Sequence, residues 1–161
     1  MEWSKKIEMK ILIIYGSKHG CTKDVAIEVA KQLNADVVDI NNIQEGILEN
    51  YDKIVFGSPI YAGMMNKKIR KFMNRQFNEL RKKRLYLFLC RGDKEPDINV
   101  IIRGNIPKYE YGFQAKFVVG GEFRYSDMRF YEKLIIKILS GRKKPSIIEM
   151  KVNELVCNVK I

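Results

Sequence analysis

Apolar residues in this chain are grouped into short unbroken runs, separated by stretches in which they recur at helical spacing. An unbroken run rich in β-branched residues is typical of a strand buried on both faces of a parallel sheet. Such strands are predicted at residues 9–15, 53–57, 85–90 and 116–121, with a shorter strand at 36–40. The pattern therefore predicts five strands.

Helical spacing fills the intervals between these strands. One helix is predicted after residues 16–21, and a second across 66–84, where apolar residues share one face and lysines and arginines the other. A short helix is predicted at 97–102. Strands alternating with helices on short connections form right-handed βαβ units. The fold class expected is therefore α/β, with a doubly wound five-stranded parallel sheet of order 2-1-3-4-5 in three αβα layers.

Length and charge add two constraints. The 161 residues, 46% apolar and 30% charged, fit a single domain over 1–161. The net charge of +11 suggests a polyanionic partner: nucleic acid, an acidic protein or an anionic membrane. Compositional drift towards lysine, in a chain crowded with Ile, Lys and Asn, is the alternative source of this charge.

Location and metal chemistry are constrained by what the sequence lacks. No apolar run approaches the length of a membrane span, and residues 1–6 do not resemble a signal peptide, so the expected location is the cytoplasm. Three cysteines without Cys-x-x-Cys spacing and a single histidine argue against a disulfide scaffold or a metal site.

Ligands in doubly wound sheets bind beyond the carboxyl ends of the strands, which directs attention to loops 16–22, 58–66 and 90–97. The first loop leads into a helix N-terminus, where backbone N–H groups and the helix dipole favour an anion. Neither the P-loop nor the dinucleotide glycine pattern is present, which leaves a nest suited to a single phosphate, as on a mononucleotide. The alternative is an ordinary turn. The candidate residues are Ser17, Lys18, His19, Gly20, Cys21 and Thr22.

The other two loops carry features suited to a flat ring. Tyr61 can lie against a ring face, and the Gly63 peptide can present either polar group to a ring nitrogen. The short third loop can contact a ring edge. A turn that only caps its strand remains the alternative for each loop. The candidates are Pro59, Ile60, Tyr61, Ala62 and Gly63 in one, and Cys90, Arg91, Gly92 and Asp93 in the other.

These motifs together resemble the flavodoxin superfamily. The order is strand, Ser-x-x-Gly-x-Thr, strand, Ser-Pro-Ile-Tyr-x-Gly, strand, Cys-x-Gly-Asp, and it covers most of residues 9–121. The resemblance implies a flavodoxin-like fold and FMN as cofactor, with the phosphate on residues 17–22 and the isoalloxazine between 59–63 and 90–93. Cys21 stands where the family usually has Thr or Ser. The electron chemistry would belong to FMN, and no catalytic side chain is expected.

A segment beyond the fifth strand narrows the resemblance. Residues 120–125, 129–137 and 140–141 are similar to the menaquinone-dependent protoporphyrinogen oxidase branch, which has an insertion before its last helix. The branch implies that FMN accepts electrons from protoporphyrinogen IX and passes them to a quinone, in haem biosynthesis. Partners would be a flat aromatic or tetrapyrrole substrate and a quinone or redox protein.

Two alternatives are a soluble flavodoxin-type carrier without its own substrate, and a flavin-free basic domain that binds membranes or nucleic acid. Nucleic acid is disfavoured because aromatic and basic residues do not interleave.

The inserted segment, at about 122–145, has both an apolar and a basic face at helical spacing. A basic amphipathic helix of this kind can lie on an anionic membrane, at the inner face of the cell membrane, or bind a partner. The alternative is a helix that packs on the sheet and exposes its lysines to solvent. The oligomeric state is left open. The basic residues are Arg124, Arg129, Lys133, Lys137, Arg142, Lys143 and Lys144.

Overall fold

The computed structural model describes residues 8–18, 20–91, 96–119 and 155–160. Its sheet has the order β2-β1-β3-β5-β6, all paired in parallel, while the two-residue β4 pairs antiparallel with β3. The five parallel strands therefore confirm the predicted order 2-1-3-4-5. The strands are β1 (Ile11–Tyr15), β2 (Asp36–Asp39), β3 (Lys53–Tyr61), β4 (Met64–Met65), β5 (Arg84–Cys90) and β6 (Phe113–Val119).

Helices cover both faces of this sheet. Successive residues of β1 point to opposite faces: Leu12 and Ile14 join one buried cluster, whereas Ile13 joins the other. The first cluster includes α2 and α4, and the second includes α1 and the helical segment 155–160. The three-layer αβα architecture is confirmed. The helices are α1 (Cys21–Leu33), α2 (Lys67–Arg75), α3 (Phe77–Leu80) and α4 (Ile98–Asn105), with 3₁₀ turns at Ile40–Asn42, Ile47–Asn50 and Pro107–Tyr109.

Two expectations concern membranes. Among the described residues, no helix combines the length and the apolarity that crossing a bilayer requires. The inserted segment at about 122–145, with its seven basic residues, lies outside the described residues.

The third strand is longer than the sequence predicted. Residues 58–61 were expected to begin a loop, but β3 continues to Tyr61. Parallel pairing with β5 extends to Pro59, which lies opposite Cys90, and Ile60 then pairs with Met65 of β4. Long-range pairing thus overrides the local turn preference of Ser-Pro.

The helix predicted across 66–84 is divided in two at Gln76, whose backbone leaves helical geometry at φ −97° and ψ 16°. The Tyr109 hydroxyl donates a 2.5 Å hydrogen bond to the carbonyl of Met73, the acceptor that a continuous helix would offer to the Phe77 N–H. The Phe77 ring packs edge-on against Tyr109, with ring centroids 5.3 Å apart. A contact with a distant residue therefore ends α2.

Helix α4 also departs from its predicted bounds of 97–102. It begins after Asp97, whose side chain accepts a hydrogen bond from the Asn99 N–H, and it continues through Gly104 to Asn105. The buried contacts of Ile101 and Ile102 outweigh the weak helix propensity of glycine.

The central strand is tightly packed at Gly57, which lies opposite Phe88 of β5. A Cβ atom at this position would lie 2.2 Å from the Phe88 ring. The Gly57 carbonyl also accepts a 3.0 Å hydrogen bond from the N–H of Gly16, where the loop after β1 begins. The ring therefore occupies the space that a side chain would need.

We expect Gly57→Ala to lower the free energy of unfolding by about 1–3 kcal/mol, because the Phe88 ring must move within a packed core. Urea unfolding measures this loss. In a Phe88→Leu background the cost of the alanine should shrink. An equal cost in both backgrounds would contradict the contact as its cause.

Lys53, at the start of β3, is buried although it is charged, with 4% of its surface exposed. Its Nζ atom donates a 2.5 Å hydrogen bond to the carbonyl of Val159 in the helical segment 155–160. Burial lowers the pKa of the Lys53 ammonium, and the neighbouring positive charge of Arg84 lowers it further.

This lowered pKa links stability to pH. Between the lowered pKa in the folded state and the ordinary lysine value of 10.5, the unfolded chain binds more protons, so the free energy of unfolding rises with pH. Wild-type protein should therefore gain stability relative to Lys53→Met as the pH is raised from neutral towards 10.5. Denaturant unfolding of both proteins across this range tests the effect. A constant difference would show that the Lys53 pKa is not lowered.

Candidate functional site

Three segments far apart in the chain meet at one edge of the sheet. Because β1 and β5 flank β3 in parallel, the carboxyl ends of all three strands lie at the same edge. The segments that follow Tyr15, Tyr61 and Cys90 therefore converge there. The described starts of the three loops selected from the sequence therefore lie at one edge of the sheet.

The first segment is a turn that leads into α1. The Ser17 Oγ atom accepts a 3.0 Å hydrogen bond from the Gly20 N–H, and Gly20 is the N-cap of α1 at φ +91°. A glycine cannot cap a helix with a side chain, whereas Asn66 and Asp97 do so for α2 and α4. The N-terminus of α1 thus presents backbone N–H groups and the positive end of its dipole to this edge.

Space and charge at this turn suit an anion. A Cβ atom built on Gly20 would have no atom of the described residues beyond its chain neighbours within 4 Å, so the space beside its Cα atom is open. Lys18 is exposed, and residues 16–22 contain no acidic side chain. Thr22 is buried and its side chain forms a hydrogen bond with Cys90, while His19 lies outside the described residues.

The second segment is a tight hairpin between β3 and β4. Its two central residues, Ala62 and Gly63, have φ of +49° and +73°, and a two-residue loop with positive φ at both positions is typical of a type I′ turn. Pro59 and Ile60 are buried in the strand. Only the last three of the five residues predicted here therefore reach the surface.

Tyr61 lies at the centre of the site. Its ring is partly buried, and the Nζ atom of Lys18 lies 5.4 Å from the ring centroid. Burial raises the pKa of the Tyr61 hydroxyl, and the nearby Cys21 and Cys90 raise it further. The ring thus offers a neutral aromatic surface between the first two segments.

The third segment is attached to the first by a thiol contact. Cys90 is 1% exposed, and a hydrogen bond with Cys21 is the main reason that its pKa is raised well above the usual value, followed by burial. Cys90 is therefore part of the core beneath the site. Arg91 donates through its backbone to Val119 and through its side chain to the Pro96 carbonyl, at 2.5 Å. Gly92 and Asp93 lie outside the described residues.

Asn105 holds the second segment in place, and sequence patterns did not reveal it. Its Nδ2 atom donates 2.8 Å hydrogen bonds to the carbonyls of Gly63 and Ile101, and its Oδ1 atom accepts one of 2.9 Å from the Met65 N–H. The side chain is 6% exposed. The only available signal is a polar residue on the apolar face of α4, four positions after Ile101.

Asn66 is the second residue that the sequence interpretation missed. Its side chain caps α2, its N–H donates to the Ser58 Oγ atom at 2.9 Å, and a Cβ on Gly16 would lie 2.7 Å from its Cγ atom. The start of α2 is therefore packed directly against the first segment. An Asn just before a helical pattern is the usual sign of an N-cap.

In the part of the chain that the structure describes, no group of three His, Cys, Asp or Glu side chains is placed to hold a metal ion. What the edge does offer is an anion-binding helix N-terminus beside a partly buried aromatic ring. This arrangement fits a ligand that carries both a phosphate and a flat ring.

Comparisons with known proteins agree with this geometry. The chain is 46% identical over 68 residues to an uncharacterized protein of Methanocaldococcus jannaschii, which covers 42% of this chain and 45% of that relative. It is 26% identical over 142 residues to protoporphyrinogen IX dehydrogenase [quinone] of Escherichia coli K12, covering 81% of this chain and 78% of the enzyme. Its fold is similar to that of a flavoprotein in complex with FMN from Lactobacillus acidophilus, with 14% identity, a TM-score of 0.50, and 68% and 92% of the two chains covered.

The family model described as "Flavodoxin domain" matches residues 12–146. This match spans most of the chain, including β1 to β6 and all three segments of the site. The strand order of the sheet agrees with the same assignment. The chain belongs to the flavodoxin-domain family.

Proposed function

We propose that this protein binds FMN at the edge formed by residues 17–22, 59–63 and 90–93 and acts as an FMN-dependent oxidoreductase. The observation that carries the proposal is the glycine-capped N-terminus of α1, which opens onto the same edge as the Tyr61 ring. Membership of the flavodoxin-domain family supports it, as does the FMN bound by the Lactobacillus acidophilus flavoprotein.

The described residues fit the parts of this cofactor. Backbone N–H groups of the first segment, with Ser17 and Lys18, suit a phosphate, since residues 16–22 and 58–66 lack acidic side chains. The Tyr61 ring suits the flavin ring, and the Ala62–Gly63 turn brings peptide groups towards its edge. When bound, FMN supplies the capacity to accept and donate electrons. The protein's residues bind and orient the cofactor and exclude water from one side of it.

For the substrate we propose a reduced tetrapyrrole of the protoporphyrinogen type, with a quinone as electron acceptor. The support is the similarity to protoporphyrinogen IX dehydrogenase [quinone] over 81% of this chain. The soluble carrier without its own substrate is the competing function, and the two differ in what can reduce the bound flavin.

The experiment has two steps. Purified protein should be yellow or become so on addition of FMN, and the released chromophore should be FMN by chromatography. Anaerobic protoporphyrinogen IX should then bleach the flavin, and menadione should restore its absorbance. Protein that neither contains nor binds FMN would overturn the whole proposal. Bleaching by a reduced redox protein but not by protoporphyrinogen would leave the carrier.

Asn105→Ala should weaken FMN binding by about tenfold. The change removes the hydrogen bonds of Asn105 to the Gly63 carbonyl and the Met65 N–H, which costs about 1–3 kcal/mol and loosens the turn beside Tyr61. Fluorescence titration of the apoprotein with FMN measures the dissociation constant.

The matched control is Asn99→Ala, an exposed position on the same helix. It should leave the FMN dissociation constant unchanged. If Asn105→Ala lowers the unfolding free energy but leaves FMN affinity at the wild-type value, the side chain stabilises the fold without positioning the site.

A further inference from the structure

Most of the net charge of the chain lies in one short region. Residues 67–84 contain nine lysines and arginines and one acidic residue, Glu79, a net charge of +8 against +11 for the whole chain. Helix α2 alone carries five of these cations and no acid. We define the basic face of α2 as Lys67, Lys68 and Lys71, which are all exposed.

Two of these cations, Lys67 and Lys68, stand where they oppose the stability of their own helix. The N-terminus of a helix is the positive end of its dipole, and acidic residues are favoured there. Helix α1 follows this rule, with Asp24 in its first turn and Lys31 in its last. In α2, Lys67 and Lys68 occupy the first two positions and the first turn has no acid. Charged residues placed where they are unfavourable for folding point to an interaction of the helix with another molecule.

The described residues do not neutralise this charge. The ion pairs among them are Lys82 with Glu79 and Arg103 with Glu110, neither of which involves α2. Lys68 donates to the side-chain oxygen of Asn41, a neutral acceptor. The described part of the chain therefore leaves the basic face of α2 able to attract an external anionic surface.

The basic face of α2 adjoins the functional site. Asn66, the N-cap of α2, packs against Gly16 of the first segment, and only Met64 and Met65 separate it from the Gly63 turn. Met64 is 45% exposed and adds apolar surface to the same short segment. Exposed apolar area beside charged residues is typical of a docking surface between proteins.

Helix α2 is poorly suited to lie on a lipid bilayer. Its apolar residues, Ile69, Phe72 and Met73, are at most 5% exposed because they pack in the core. Membrane-surface helices bury such a stripe among the acyl chains, and α2 has none available. The chemistry on this face therefore favours an acidic protein.

We infer that the basic face of α2 docks an acidic redox protein that exchanges electrons with the flavin site. The inference rests on the FMN binding in the proposed function, because it names a protein electron donor for that site, separate from the tetrapyrrole. The partner carries a one-electron centre, so two encounters are needed to reduce the flavin by two electrons. Each encounter oxidises the centre of one partner molecule by one electron, and the flavin takes up two protons from water. Opposite charges accelerate such encounters by about 10–10³-fold, and salt removes the effect.

The test uses FMN-loaded protein and reduced plant-type [2Fe–2S] ferredoxin as the acidic probe, mixed anaerobically by stopped flow. The variant Lys67→Gln/Lys68→Gln/Lys71→Gln removes three charges beside the site. The matched control Arg81→Gln/Lys82→Gln/Arg84→Gln removes three from the opposite edge, where β5 begins. At low ionic strength the first variant should reduce the second-order rate constant about tenfold, and the control less than about threefold. At about 0.5 M salt the proteins should converge.

The other outcomes also decide the question. Equal slowing by both variants would show an effect of net charge alone and would overturn the docking site, as would no slowing by either. If the first variant loses binding to phosphatidylglycerol vesicles while ferredoxin still reacts at the wild-type rate, the face binds membranes instead. The melting temperature of the first variant should not fall, because two of the three removed cations, Lys67 and Lys68, oppose the helix dipole.

Failure of the proposed function would be recognised separately. Titration of the flavin-free protein with ferredoxin, followed by calorimetry at low and high salt, reports docking without flavin chemistry. Salt-sensitive binding that the first variant loses and the control keeps would support the surface even if FMN does not bind. No binding in this assay by a protein that does bind FMN would overturn the surface alone.

Discussion

Parallel pairing on both sides of β3 is the constraint on which the rest of the molecule depends. Residues 53–60 are all buried: β1 and β5 pair with both edges of residues 53–57, β5 continues to Pro59, and helices cover both faces of the sheet. With the central strand fixed in this way, three chain segments that are far apart in sequence must emerge at the same edge. The register of the strands fixes the position of the site, and the side chains only complete it.

The part of that edge where we propose that FMN binds is built mainly from backbone, and the side chains behind it hold the backbone in place. Gly20 and Gly63 present peptides at positive φ, while Asn66 and Asn105 bond the segments from the protein interior. Side chains of this kind recognise peptide groups in their own chain. The specificity of the site for a ligand therefore depends on residues that the ligand would not touch.

Sequence patterns were sufficient to predict the elements whose burial follows from the apolar residues of the element itself. The unbroken apolar runs identified the parallel strands, and the spacing of Val25 and Val29 identified α1, because both faces of the sheet are covered. They were insufficient where contacts with residues distant in sequence determine where an element ends. Pairing with Cys90 extends β3 through Pro59, and Tyr109 ends α2, and neither partner is visible from the local sequence. Asn105 was missed for the same reason, whereas FMN was suggested by resemblance to a family and not by periodicity.

The three hydrogen bonds of Asn105 have a further consequence for motion. Those to Gly63 and Met65 join the turn after β3 to the last residue of α4, so that neither element can open without breaking these bonds. We therefore expect the two elements to behave as one cooperative unit in the exchange of backbone hydrogens with solvent, although 42 positions separate Gly63 from Asn105. A ligand that rigidifies the turn should then also slow hydrogen exchange along α4, a helix on the other side of the turn from the ligand.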